Sequence, residues 1–183
     1  MLNSYESDEV RMSPELGGAP VVGQTLVVLG DLITFKVTAA QSGGRLTVVE
    51  VEAPPGGGPP PMHTHVPDEL FHVIEGDVTL YVGQPDAPSR RRLAVGESAH
   101  VAGGVPHTFR NAGHRPARVL LVFSPGEPME RFFTAVGHPI DDRRRLPPVD
   151  LETEVPRAFE IGARLGMQLL GPPRSSHKPK PNV

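Results

Sequence analysis

The chain has 183 residues, 38% of them hydrophobic and 21% charged, with no cysteine and a formal net charge of −3. Enough apolar material is present for a packed core, which excludes a disordered chain; the charge gives no electrostatic ground for nucleic acid as a partner, and the missing cysteines remove disulfides, thiol nucleophiles and thiolate metal sites together. Twenty glycines and 22 prolines approach twice the ordinary share of about 12%, so turns should be frequent within the one domain with appendages that this length implies.

Residues 1–23 show no stable period and read as an N-terminal arm. Its Glu6, Asp8 and Glu9, without a basic start or an apolar stretch, argue against a secretory signal. A reducing, cytoplasmic setting is therefore expected. From Gln24 the chain becomes a series of short β-rich runs: Thr25–Leu29, Ile33–Ala39, Arg45–Glu52, Met62–His65, Leu70–Ile74, Val78–Val82, Arg91–Ala94, Ser98–Ala102, Thr108–Asn111 and Arg118–Ser124. Glycine and proline punctuate them, with Gly30-Asp31 read as a turn and Pro54 to Pro61 as a stiff approach to the fourth run. Many short strands at near-regular spacing predict an all-β sandwich or barrel over residues 24–125. The longest central apolar run, Val119–Phe123, has five residues, whereas a membrane-spanning helix needs about 20, so no membrane partner is expected.

After Pro125 the texture changes. Met129, Phe132, Phe133 and Val136 recur at helical spacing, predicting a helix over Glu127–Val136 that docks on the barrel and stops at Gly137. Asp141 to Arg145 reads as a solvated connector. A second helix is predicted over Thr153–Leu165, with Pro156 in its first turn, followed by a final strand at Met167–Leu170. Residues 126–171 thus read as a C-terminal helical appendage, and 172–183 as a flexible tail.

Five of the eight histidines fall between His63 and His107. His63 and His65 are two apart, so on a strand both leave the same face. A short turn, Val66-Pro67-Asp68, then delivers Glu69 at the start of the next strand. Two imidazoles and a carboxylate on adjacent strands, with His107 as fourth ligand, are the donors of a divalent metal. With no thiolate, the set suits Fe, Mn, Co, Ni, Cu or Zn. By the same alternation His72 faces away, and His100 and His114 read as surface residues.

The spacing is also a family pattern. Gly57, five residues, His63-x-His65, three residues, Glu69, six residues and Gly76 match the first motif of the cupin family; Gly96, five residues, Ala102-x-Gly104, two residues, His107, three residues and Asn111 match the second, with Ala102 where proline is usual. Residues 24–124 therefore resemble a small single-domain (monocupin) protein. The resemblance implies a double-stranded β-helix, or jelly-roll, barrel with a metal at its centre held by His63, His65, Glu69 and His107.

If those four side chains point inward, parity takes Phe71, Val73 and Phe109 with them, and Val49, Val51, Leu121 and Phe123 are the further candidates for a pocket wall. Such a cavity is apolar with one charged floor, suited to an aromatic or enolisable molecule that offers the metal an oxygen. Within the family the chain resembles the quercetinase-like dioxygenases, which open a flavonol ring with O2. That resemblance implies catalysis by Glu69 as proton acceptor. A metal-dependent tailoring enzyme (oxygenase, cyclase or isomerase) on a polyketide-like metabolite is the alternative, and a non-catalytic, metal-stabilised small-molecule-binding protein the second. A homodimer is the expected assembly.

Overall fold

The computed structural model describes residues 18–59 and 61–173. The rest of the expected arm and tail, and Pro60 within the proline run, lie outside the described residues. The chain runs β1 (Thr25–Val28), β2 (Asp31–Val37), α1 (Ala39–Ser42), β3 (Thr47–Ala53), β4 (Met62–Thr64), β5 (Asp68–Glu75), β6 (Asp77–Val82), β7 (Ser89–Ala94), β8 (Ser98–Val101), β9 (His107–Arg110), β10 (Ala117–Ser124), α2 (Glu127–Val136), β11 (His138–Ile140), α3 (Leu151–Arg164) and β12 (Gln168–Gly171). The strands form two antiparallel sheets, ordered β11-β1-β2-β3-β10-β5-β8 and β12-β4-β9-β6-β7. This is the all-β jelly roll expected from the strand pattern.

Period-two alternation drives the layers together. Along β10 every second residue is buried: Ala117, Val119, Leu121 and Phe123. Its inward side chains meet those of β3 and β5 on either side, through the register pairs Leu121 with Val49 and Leu121 with Phe71. Phe35, Phe71 and Phe123 are almost wholly buried there, each contributing about 1.5–3 kcal/mol of transfer free energy.

The C-terminal segment is woven into the barrel. Its first helix spans Glu127–Val136 as the periodicity predicts, and Met129, Phe132, Phe133 and Val136 all turn inward. Gly126 lets α2 start tight against β3, since a Cβ there would lie 2.2 Å from the carbonyl carbon of Leu46. Two strands then return. β11 pairs with β1, and β12 pairs with β4, covering edges that would otherwise present unpaired backbone groups.

Four details depart from the sequence reading. α1 interrupts the strands as a single turn, held by a capping box between Thr38 and Gln41. β11 was hidden because His138-Pro139-Ile140 has three residues and a proline. α3 begins at Leu151 on the Asp150 cap, so Pro156 lies inside the helix and not in its first turn. Asp31, read as part of a turn, opens β2 with its side chain buried.

Glu130 locks α2 to the barrel. Its Oε2 accepts from the Ala39 backbone N–H at 2.6 Å and from the Thr47 hydroxyl at 3.1 Å, all in buried surroundings. Glu130→Ala leaves both donors without their acceptor and is expected to cost about 2 kcal/mol; urea unfolding of variant and parent measures it.

Candidate metal centre

The smaller sheet supplies the imidazoles. β4 carries His63, which sits directly across from His107 on β9. His65 follows one residue past the end of β4, and Glu69 reaches the same point from β5 in the opposite sheet. All four are buried, none more than 7% exposed. The ring centroids of His107 lie 4.7 Å from His63 and 4.8 Å from His65. One ligating nitrogen from each of the three histidines falls within 4.8 Å of the others. With metal–nitrogen bonds of about 2.1 Å, tetrahedral ligands of one ion stand about 3.4 Å apart, so the three nitrogens draw inward when an ion is bound. Three buried histidines could therefore hold a metal ion.

The backbone fixes which nitrogen faces inward. Nδ1 of His63 donates to the Pro61 carbonyl at 3.2 Å, Nδ1 of His65 to the Pro67 carbonyl at 2.8 Å, and Nδ1 of His107 to the Val105 carbonyl at 2.8 Å. A carbonyl only accepts, so each Nδ1 carries the proton, and in the neutral ring each Nε2 presents a lone pair. Glu69 Oε2 nevertheless stands 3.0 Å from His65 Nε2 and 2.8 Å from His107 Nε2. Acceptors facing acceptors at that distance require a cation between or on them.

Where no metal is bound, the cation is a proton. Burial pulls His107 down, but the hydrogen bond and negative charge of Glu69 outweigh it and raise the imidazole above its ordinary value. Burial likewise pushes Glu69 up, and its contacts with His107 and His65 more than reverse this, holding the carboxyl at about 2. His63 goes the other way: burial, reinforced by positive charge on His107 and His65, drives it down to about 3. Three nitrogen donors and a carboxylate, one of them uncharged at any ordinary pH, match the chemistry of a divalent transition ion.

A cavity of about 90 Å³ opens on this group. His63, Glu69 and His107 reach it, and Val51, Phe71, Phe109, Leu121 and Phe123 line its wall. Val49 and Val73, candidates by parity, are fully buried and do not reach the lining; they pack into the core cluster behind it. The sequence missed the cover, built from Met129, Phe132 and Phe133 of α2, Ala158, Phe159 and Gly162 of α3, and Met167 and Leu169 beyond it. The helical spacing of α2 showed an apolar face but not what that face encloses. Asp31 also lines the cavity. His72 bonds Ser98 Oγ at 2.9 Å and His100 bonds Asp68 at 3.2 Å, both away from the cavity. Asn111, buried, donates its amide to the carbonyls of Ala53 and Arg115, a structural clasp behind His107.

Two antiparallel sheets enclosing three inward imidazoles define a jelly-roll barrel with a metal-binding interior. Residues 49–123 match the family model described as the cupin domain, in keeping with this jelly-roll fold. The chain is 29% identical over 73 residues to auxin-binding protein 1 of Arabidopsis thaliana, covering 37% of each chain. Among solved structures it is similar to a cupin-superfamily sugar phosphate isomerase from Silicibacter pomeroyi, at 25% identity over 54% of this chain and 61% of that one (TM-score 0.44). It is also similar to oxalate decarboxylase from Bacillus subtilis, at 20% identity over 62% and 32% of the two chains (TM-score 0.48). The match spans less than two thirds of each of these proteins. No helix among the described residues is long and apolar enough to cross a membrane.

Because the Glu69 carboxylate raises the His107 imidazole above its ordinary value, a proton competes with metal there. Zn(II) affinity should therefore fall as pH drops from 8 to 6, with proton release on binding. Calorimetric titration in buffers of different ionisation enthalpy checks both, and His63→Ala should abolish stoichiometric binding.

Proposed function

We propose that the protein is a metal-dependent dioxygenase of the quercetinase-like kind, acting with O2 on a flavonol or a related enolisable aromatic substrate. The observation that carries this reading is the buried set of His63, His65, His107 and Glu69, with every Nδ1 tied back to a carbonyl, at the end of an otherwise apolar cavity. A divalent transition ion held by the three imidazoles and Glu69 supplies Lewis acidity, which lowers the pKa of an enol or phenol oxygen.

The chain's own residues account for the remaining work. Glu69 meets both imidazoles through Oε2, so Oε1 is the atom that takes the substrate's hydroxyl proton. Phe71, Phe109 and Phe123 flank a planar ring and exclude water, which strengthens each electrostatic contact inside. The cavity volume of about 90 Å³ suits a small enolone; a flavonol needs the cover raised.

A second reading, a metal-held binding protein without turnover, draws on the likeness to auxin-binding protein 1. Aerobic incubation of metal-loaded protein with quercetin separates the two. Loss of flavonol absorbance with O2 uptake supports the dioxygenase; binding without conversion supports the second reading; no response at all favours a tailoring enzyme for another enolisable metabolite. Glu69→Gln should keep appreciable metal by elemental analysis while turnover falls about 10²–10⁴-fold, and unchanged turnover would remove Glu69 from the proton transfer.

A further inference from the structure

One ionisable side chain of the cavity wall takes no part in the histidine–glutamate group. Asp31 opens β2 on the same face as Ile33 and Phe35, so strand alternation directs it into the barrel. It is buried, it lines the cavity together with its cross-strand neighbour Val28, and no lysine or arginine lines that cavity with it. Both of its carboxylate oxygens share a single donor, the Gly58 N–H, at 3.1 and 3.2 Å. The loop comes this close because Gly57 and Gly58 have no side chains: a Cβ on Gly57 would lie 2.6 Å from Asp31 Oδ1, and one on Gly58, at φ +110°, would lie 2.3 Å from the Phe109 carbonyl oxygen.

One N–H cannot saturate a carboxylate, which offers about four acceptor positions. The nearby carbonyls on the wall are already engaged, Pro59 by the Thr108 hydroxyl at 2.6 Å and Pro61 by His63. Outside the histidine–glutamate group, Asp31 is thus the polar side chain in the wall with acceptor capacity to spare. We propose that Asp31 is a specificity-determining residue that binds a hydroxyl group of the substrate remote from its metal-chelating oxygens. The substrate class is then defined at both ends: an enolisable oxygen pair for the histidines and Glu69, an apolar body along the phenylalanines, and a hydroxyl at Asp31. Burial raises the Asp31 carboxyl to about 7. Near neutral pH it is both acid and carboxylate, and a hydroxyl, which donates and accepts, satisfies either form.

This inference rests on the chelating site proposed above, and the test keeps the two apart. Kojic acid and allomaltol present the same hydroxypyranone chelator and differ by one remote hydroxyl. Metal content is measured first, then dissociation constants for both compounds on Zn(II)-loaded protein by calorimetry. The parent should prefer kojic acid by about tenfold, the worth of one hydrogen bond of about 1.4 kcal/mol. Asp31→Asn keeps an oxygen for the Gly58 N–H and should match the parent's metal content, melting temperature and allomaltol affinity while that preference falls, because an amide bonds a hydroxyl more weakly than a carboxylate does. Asp31→Ala, which also drops the loop contact, should melt earlier. An unchanged preference in Asp31→Asn, with allomaltol still bound, overturns the role of Asp31 and leaves the chelating site standing. A preference that declines only in step with melting temperature across the two variants makes Asp31 a loop tether and overturns it too. If neither compound binds metal-loaded parent, the chelating reading and this inference fall together.

Discussion

Glu69 Oε2 lies within 3.0 Å of two imidazole nitrogens whose partner nitrogens are already committed to carbonyls. No arrangement of neutral imidazoles and an ionised carboxylate satisfies that geometry. A positive charge has to reside there, and the protein surrounds the place with buried phenylalanines, where a charge interacts strongly with its neighbours. The imidazoles come from the side of the smaller sheet and the carboxylate from the larger one. Bringing the sheets together therefore assembles the site, and the charge in turn compensates for burying Glu69.

The second half of the chain completes that enclosure. β12 pairs with β4, and Leu169 sits opposite His63 in the register while also lining the cavity. α2 closes the top with Met129, Phe132 and Phe133, and is held by the Glu130 contacts to Ala39 and Thr47. α3 covers the same opening with Ala158, Phe159 and Gly162, and its Arg157 bonds the Ala135 and Val136 carbonyls of α2.

How much of this was legible depends on the range of the interactions involved. His63 and His65 lie two residues apart, so strand parity put them on one face; Glu69 follows soon after in sequence but reaches the site from the opposite sheet and not from an adjacent strand, which parity does not show. His107 needed the second motif, because its pairing with His63 bridges 44 positions. Parity pointed Val73 inward and Val49 was a further candidate; both are buried, but alternation carries no depth, and they pack behind the wall. Asp31 escaped notice because Gly-Asp is ordinary turn composition; only the pairing of β1 with β2 shows that the aspartate already belongs to the strand. The cover over the cavity could not be read for a similar reason. An apolar helix face announces that it will be buried, while its partners include β1 and β3, more than 70 residues upstream.

The hydrogen bonds behind the imidazoles have an evolutionary consequence. Many metal sites orient their histidines with acidic or amide side chains, and one substitution in that outer layer retunes or destroys them. Here the outer layer consists of the carbonyl oxygens of Pro61, Pro67 and Val105, a group that every residue type possesses. Point mutations at these positions leave the acceptor in place, so the ligand geometry is buffered against drift in the neighbouring sequence. Insertions and deletions in the loops are what would disturb it, and lineages could diverge widely in residue identity while loop length stays constrained.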